Sequence, residues 1–479
     1  MPTVRMETQG TIVGAGLTGT FHTWQDGERE RDDEQLGVRR ERTLRIGDRA
    51  WVENANGNVR ELHGVLLRRA RTEWLIESGN FVHEPERVRY LRSDVVNGRR
   101  SFVVEVTANQ GSAETVYIDA TTFLPARFAY VDGDGMTTVD PSDWRTVEGH
   151  AVAYRSVVSD GERAFDLVQT TTDVKIGRPI DETVFAPFRS RQLGGDAPAT
   201  IPLVERDGHY FCVASVNGRS YTFLIDSGAQ NILIDSRVAR ELGLVEEGAL
   251  EIRGTQRSGG LHTARIARLQ LGSVYLDDVV ASSIDIASST GGLLKIDGIL
   301  GYPLFASGLV KLDFAHRAML VGPPGSFKVT GAKLDLDVDR GLAETLLQIN
   351  GAAVAPFIVD TGSTQEVLLF RPYVDRHPGV VPFTGIRGSN FGFGGASNTY
   401  RTELGRLNVG GFELYHRSTD VVLETTGAFA DRFAAGNVGL GVLRNFVLTF
   451  DEPNAALYVE RGADFDDGRR RNGSTNASR

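Results

Sequence analysis

An internal repeat with a carboxylate at its centre limits this chain to few architectures. "VNGRSYTFLIDSG" from Val216 is answered by "INGAAVAPFIVDTG" from Ile349, "RLQLGSVYL" from Arg268 by "RLNVGGFEL" from Arg406, and "LVKLDF" from Leu309 by "VLTFDE" from Val447. The offsets are 133, 138 and 138 residues (349 − 216, 406 − 268, 447 − 309). A period that long marks a duplicated domain half, since solenoid units run to about 20–50 residues. Within the repeat Asp226 and Asp360 correspond, each followed by Ser or Thr and then Gly, and each flanked by apolar runs. A charged carboxylate alone among apolar strands is costly unless it is paired or neutralised. Each half of the duplication supplies the partner for the other.

The surroundings read as β structure. Before the repeat, "TGTFHTW", "RTLRIGDRAWVEN", "RSFVVEVTA", "ETVYIDATTFLPARFAYVDG" and "AVAYRSVVSDG" alternate apolar with polar residues between turn formers, the pattern of antiparallel strands. The stretch "GERERDDEQLGVRRER" at 27–42 carries both signs of charge and reads as a solvated edge or loop. "RSRQLGGDAPAT" at 189–200 is a polar linker. The expected domains are therefore an antiparallel β domain at 1–190, repeat halves at 201–330 and 331–462, and a tail at 463–479 with too little apolar content to fold.

Composition excludes several functions. The net charge is −10, with no basic block beyond "RRR" at 469–471, so nucleic acid is not an expected partner. Cys212, the single cysteine, forbids an intrachain disulfide and, lying in the apolar "HYFCVASV", reads as core. H-E-x-x-H, G-x-S-x-G and P-loop sequences are absent, and neither a metal nor a cofactor is expected. No apolar run approaches the roughly 18 residues of a membrane span, and no signal peptide is visible.

The paired D-[ST]-G tripeptides resemble those of the aspartic peptidases, retropepsin-like and pepsin-like, and the resemblance covers about residues 200–462. "SRVARELGL", after the first loop, is similar to the short helix of bacterial retropepsin-like proteins. "DGILGYPLFASGLVKLDF" carries Ile299-Leu300-Gly301, the apolar-apolar-glycine step that in the family packs beneath the aspartate loop. "GLGVLRNFVLTFDEPNAALYV" resembles the end of the pepsin C-terminal lobe, which puts Leu440-Gly441 at the equivalent step, with Gly439 where a large apolar residue is usual. The resemblance implies an all-β, bilobal, pepsin-like acid-protease double β-barrel with Asp226 and Asp360 catalytic. It implies that Gly228 and Gly362 let backbone N–H groups approach the carboxylates and that the Ser227 and Thr361 hydroxyls lock the loops together. Ser363 is expected to offer its hydroxyl to Asp360, whereas Ala229 offers Asp226 none. Gly-rich segments about 30 residues after each aspartate read as hairpin tips, giving Gly259, Gly260, Phe393 and Gly394 as flap residues over a substrate. The flap tyrosine of pepsins is missing from the first, and Tyr400 lies in the second.

Two carboxylates suit peptide hydrolysis, because one group must take a proton from water while another gives one to the carbonyl oxygen. Like charges about 4 Å apart at an effective dielectric of about 20 repel by about 4 kcal/mol, or about three pKa units. The pair therefore holds one proton over a wide pH range. One chain carries both aspartates, so a monomer suffices.

The first 190 residues resemble the half-barrel of the periplasmic lipoprotein-carrier and sorting superfamily. "VYIDATTFLPARFAYVDGDG" and "FDLVQTTTDVKIGRPIDETVFAPF" carry its Asp-to-Pro hairpin and closing phrase, although the family's leading helix is not present. This resemblance implies a curved antiparallel sheet, a lipid or lipoprotein ligand, and a periplasmic or secreted location. The expected activity is that of an aspartic endopeptidase acting on a peptide or protein. A non-catalytic carrier with a protease-like groove, and a self-processing peptidase inhibited by its first domain, remain open alternatives.

Overall fold

The computed structural model describes residues 3–253, 258–338, 340–392 and 395–469. The chain divides into two compact units: the first runs to Ser190 and takes in Glu247–Glu251, and the second begins at Arg191.

Thirteen antiparallel strands form the first unit. Strand Val4–Ile12 lies near the middle, paired with Leu17–Asp26 on one side and with Leu167–Ile176 on the other. The chain therefore builds one wing outward from Leu17–Asp26 to an edge strand at Val59–Glu61, crosses over, and returns from the opposite edge at Val88–Val96. The crossover contains a helix, Gly64–Glu77, in a region expected to hold strands only. Leu66, Leu67, Ala70 and Trp74 recur every three or four residues, so they share one face. Ala70 packs with Ala50, Val52 and Leu62 near one edge, while Ile76 packs with Val104, Val106 and Val116 near the other. Thirteen strands laid flat would span roughly 58 Å at ~4.8 Å each, but a helix of fourteen residues is only about 21 Å long. One helix can touch both wings because the sheet curves around it.

The charged stretch 27–42 is not a loop. It forms most of strands Arg29–Leu36 and Arg39–Ile46, which pair across a turn at Gly37 and lie inside the sheet. Cross-strand pairing compensates the charges: Arg45 lies 3.7 Å from Glu30, Arg42 meets Glu53 on the next strand, and the Thr23 hydroxyl donates to Asp32 at 2.6 Å. Arg31 and Arg42 both also stack on Phe188.

The second unit is built from two equivalent barrels. In the first, Arg219–Ile225 follows His209–Val216, then come Gly298–Leu300, Leu233–Asp235, Val274–Ile284 and Ser258–Leu271, which closes back onto His209–Val216. In the second, Glu344–Ile349, Ala355–Asp360, Gly436–Gly439, Val367–Leu369, Phe412–Val422 and Gly395–Val409 close in the same order and sense. Phe223 and Phe357, equivalent in the repeat, are wholly buried.

A third sheet, which sequence reading did not anticipate, takes three strands from each half. At its centre Leu309–Asp313 pairs antiparallel with Phe446–Asp451, and Lys311 stands opposite Thr449. These two residues are 138 apart (449 − 311), the repeat offset itself, so the pseudo-twofold axis passes between them. The halves at 201–330 and 331–462 thus share a sheet as well as one core cluster.

The described residues of the stretch expected to be a disordered tail from 463 are packed. Phe465 packs against Phe412 and Phe446 at ring separations of 6.1 and 5.6 Å, and the Tyr415 N–H donates to the Asp467 carbonyl at 2.7 Å. Residues 470–479 lie outside the described residues.

Candidate active site

Each D-[ST]-G loop leaves the end of a central barrel strand, Arg219–Ile225 in one half and Ala355–Asp360 in the other. Apolar side chains hold these strands in the core up to the last residue before the loop, Ile225 and Val359. The aspartates that follow are largely but not wholly buried.

The loops meet back to back through Ser227 and Thr361, which are 2% and 1% exposed. The Thr361 hydroxyl donates to the Ile225 carbonyl at 3.0 Å and accepts the Ser227 N–H at 3.0 Å. Reciprocally, the Ser227 hydroxyl donates to the Val359 carbonyl and accepts the Thr361 N–H at 3.1 Å. All four bonds cross from one half to the other.

Each glycine then faces the opposite aspartate. A Cβ on Gly228 would fall 2.6 Å from Asp360 Oδ1, and one on Gly362 would fall 2.5 Å from both Asp226 carboxylate oxygens. Any side chain there would displace the partner carboxylate, which is why the position needs glycine. The same glycines turn their N–H groups on the aspartate of their own loop, Gly228 to Asp226 Oδ1 at 2.9 Å and Gly362 to Asp360 Oδ1 at 3.0 Å.

Each carboxylate therefore lies against the opposite loop, where the two influence each other's titration. Burial, and then the charge of Asp360, push Asp226 well above the usual carboxylate range. Burial also raises Asp360, but there hydrogen bonds from Asn437, Gly362 and Ser363 oppose it. The titration belongs to the pair, but the hydrogen bonds that favour charge gather on Asp360.

Two expectations for the second loop are corrected. Ser363 reaches Asp360 Oδ1 with its backbone N–H, at 3.1 Å, and the side-chain donor is Asn437. The step beneath the loop is Val438-Gly439 rather than Leu440-Gly441: Gly439 pairs with Asp360 in a parallel ladder, as Leu300 does with Ile225 one step earlier in the other half. A Cβ on Gly439 would lie 2.8 Å from the Ser363 carbonyl, and one on Gly301 would lie 2.4 Å from the Ala229 carbonyl, so the two glycines do the same job. Asn437 consequently occupies the place of Ile299.

Sequence reading missed Asn437. It also missed His209, whose imidazole reaches the Gly362 backbone and whose pKa is lowered by burial. Gly259 and Gly260 lie at the start of strand Ser258–Leu271. Phe393 and Gly394 lie outside the described residues, beyond strand Arg387–Gly392, which pairs with Gly395–Val409. Among the described residues no group of His, Cys, Asp or Glu could hold a metal ion, and no helix is long and apolar enough to cross a membrane.

Two loops, one from each half of the repeat, thus bring Asp226 and Asp360 together. Residues 213–304, which carry the first loop and the strands around it, match the aspartyl protease family model. Among solved structures the chain is similar to a domain described as an outer membrane lipoprotein-sorting protein from Vibrio parahaemolyticus, at 15% identity over 38% of this chain and 88% of that one, with a TM-score of 0.27. It is similar also to a DUF1329 family protein from Desulfovibrio piger, at 16% identity over 39% and 89% with a TM-score of 0.29, and to a LolA superfamily protein from Nitrosomonas europaea, at 13% over 39% and 90% with a TM-score of 0.28. Scores this low assign nothing to the chain. Among curated proteins none matches.

Proposed function

We propose that this protein is an aspartic endopeptidase that hydrolyses peptide bonds with a water molecule held between Asp226 and Asp360. The observation that carries the reading is the reciprocal fit of the loops, in which the glycine of each faces the carboxylate of the other. Asp360, charged, takes a proton from water as its oxygen bonds the scissile carbonyl carbon. Asp226, protonated, gives its proton to the carbonyl oxygen as the C=O π bond breaks. Collapse of the resulting diol returns a proton to Asp226, breaks the C–N bond and passes the proton on Asp360 to the leaving amine. The enzyme ends in its starting protonation state, and no acyl-enzyme forms. In this reading the first unit takes no part in the bond-breaking step.

The test is digestion of a mixed peptide library in H2(18)O containing hydroxylamine. Direct attack by water places one labelled oxygen in each new carboxyl terminus and yields no hydroxamate. Hydroxamate products would signal an acyl-enzyme and overturn the mechanism.

A further inference from the structure

We propose that Asn437 is a positioning residue that fixes the dyad's single proton on Asp226 and keeps Asp360 as the charged base. The inference rests on the peptidase reading and adds to it the division of labour between two otherwise symmetric aspartates.

Asn437 lies on strand Gly436–Gly439, opposite Ile358 on the parallel strand that ends in Asp360. It is 5% exposed, and its Nδ2 donates to Asp360 Oδ2 at 2.6 Å. Its Oδ1 is buried without a hydrogen-bond partner. In the other half the equivalent place is held by Ile299, wholly buried and packed with Leu224 and Leu233, which has no donor to offer Asp226. Packing alone favours the isoleucine, since an amide there leaves a buried carbonyl unsatisfied.

The two carboxylates consequently differ in what they accept. Asp360 takes the Gly362 and Ser363 N–H groups on Oδ1 and the Asn437 amide on Oδ2, whereas Asp226 takes the Gly228 N–H on Oδ1 and a share of the Gly362 N–H. Donors favour the charged form of a carboxylate. The amide also selects its own orientation: turned the other way, Oδ1 would face a charged oxygen. Burial raises both pKa values, and the Asn437 bond is the largest influence opposing the rise at Asp360. The groups around Asp360 that could oppose this are few. Asp226 faces it from the other loop, and His209, on strand His209–Val216, interacts with the Asp207 and Gly362 backbone and has its pKa lowered by burial.

The test compares full-length wild type with Asn437→Ile, which installs the residue of the other half, and with Asn437→Ser, whose hydroxyl is too short to reach Oδ2. In both variants the acid limb of kcat/KM should move up by about one pH unit, an about tenfold loss at pH 4 that largely recovers near neutrality. Adding Ile299→Asn to Asn437→Ile should move the limb back, because the amide then serves Asp226 and the roles exchange. A folded variant whose acid limb coincides with that of wild type would overturn the inference. Carboxyl 13C shifts of Asp226 and Asp360, titrated in protein labelled at aspartate, give the same comparison without catalysis and cover any variant of low activity. Titration of the two carboxyls as an even pair in wild type would likewise overturn it. Cleavage by wild type that survives Asp226→Asn would instead remove the peptidase reading and leave the carboxyl titration to decide the proton's place.

Discussion

Ser227 and Thr361 each donate a hydroxyl to the strand behind the other's loop and accept the other's backbone N–H, so neither loop keeps its shape without its partner. Replacing either by alanine breaks two buried bonds and leaves a carbonyl and an N–H unpaired. Ser227→Ala and Thr361→Ala should each lower stability by about 2–4 kcal/mol. The double mutant should cost clearly less than the sum, because the two side chains form one network. Denaturant midpoints of the four proteins in the cycle check this, and additive losses would show that the two halves hold their loops independently.

A second prediction concerns Glu114, on strand Glu114–Asp119, which is 3% exposed and has Oε1 without a hydrogen-bond partner. Burial, and then the charge of Glu73, raise its pKa to about 8, although Arg69 opposes them. The folded state therefore holds this proton more tightly than the unfolded chain. The resulting stability is complete below the unfolded pKa, near 4.5, and is lost as the pH climbs towards 8. Glu30, raised to about 7, and Asp32 and Glu34, each raised to about 6, act in the same direction, so the informative quantity is the difference from a variant. Glu114→Gln should unfold at a midpoint less dependent on pH between 5 and 8 and should exceed wild type at pH 8. Parallel pH profiles would contradict the assignment.

Truncated chains test the packing of residues 463–469. One ending at Gly462 loses Phe465 from its place against Phe412 and Phe446 and the Asp466 carbonyl that accepts from buried Arg417, at 2.7 Å. A loss of about 3–5 kcal/mol is expected, read as a shift in the urea midpoint.

The core of the second unit begins inside the stretch 189–200 expected to be a polar linker. Leu193, Ala199, Ile201 and Leu203 belong to the core of the second unit, and strand Ala199–Pro202 pairs with Ala318–Gly322. Residues 191–469 should therefore fold alone and cleave short peptides, whereas 204–462 should be markedly less stable. Thermal unfolding and peptide assays on both chains test this. Increased cleavage by 191–469 over the full chain would favour an inhibitory first unit.

What the sequence revealed and what it hid follows from the range of the interactions. Asp226 and Asp360 were legible because a carboxylate, a small residue and a glycine between apolar runs form a local pattern, written twice. The helix Gly64–Glu77 carried a local signal too, in the spacing of Leu66, Leu67, Ala70 and Trp74, that the surrounding strand patterns masked. Strands Arg29–Leu36 and Arg39–Ile46 gave no such signal: their charges are balanced by residues opposite them, Glu30 by Arg45 and Arg42 by Glu53, and that balance exists only once the strands pair. The central sheet depends on contacts across 138 residues, such as Lys311 with Thr449. Asn437 was hidden by "GNVGLG", in which Gly439 and Gly441 compete for one place. Adding the measured offset to Gly301 would have chosen correctly, since 301 + 138 is 439.

The shared dyad is tested most directly by steady-state cleavage of a peptide substrate between pH 3 and 7 by wild type, Asp226→Asn, Asp360→Asn and the double mutant, each confirmed as folded by its unfolding midpoint. One water activated between two interdependent carboxylates requires each single change to lower kcat by about 10³-fold or more, with the double mutant no worse than either. Near-wild-type turnover in one single mutant, or losses that multiply in the double mutant, would contradict it.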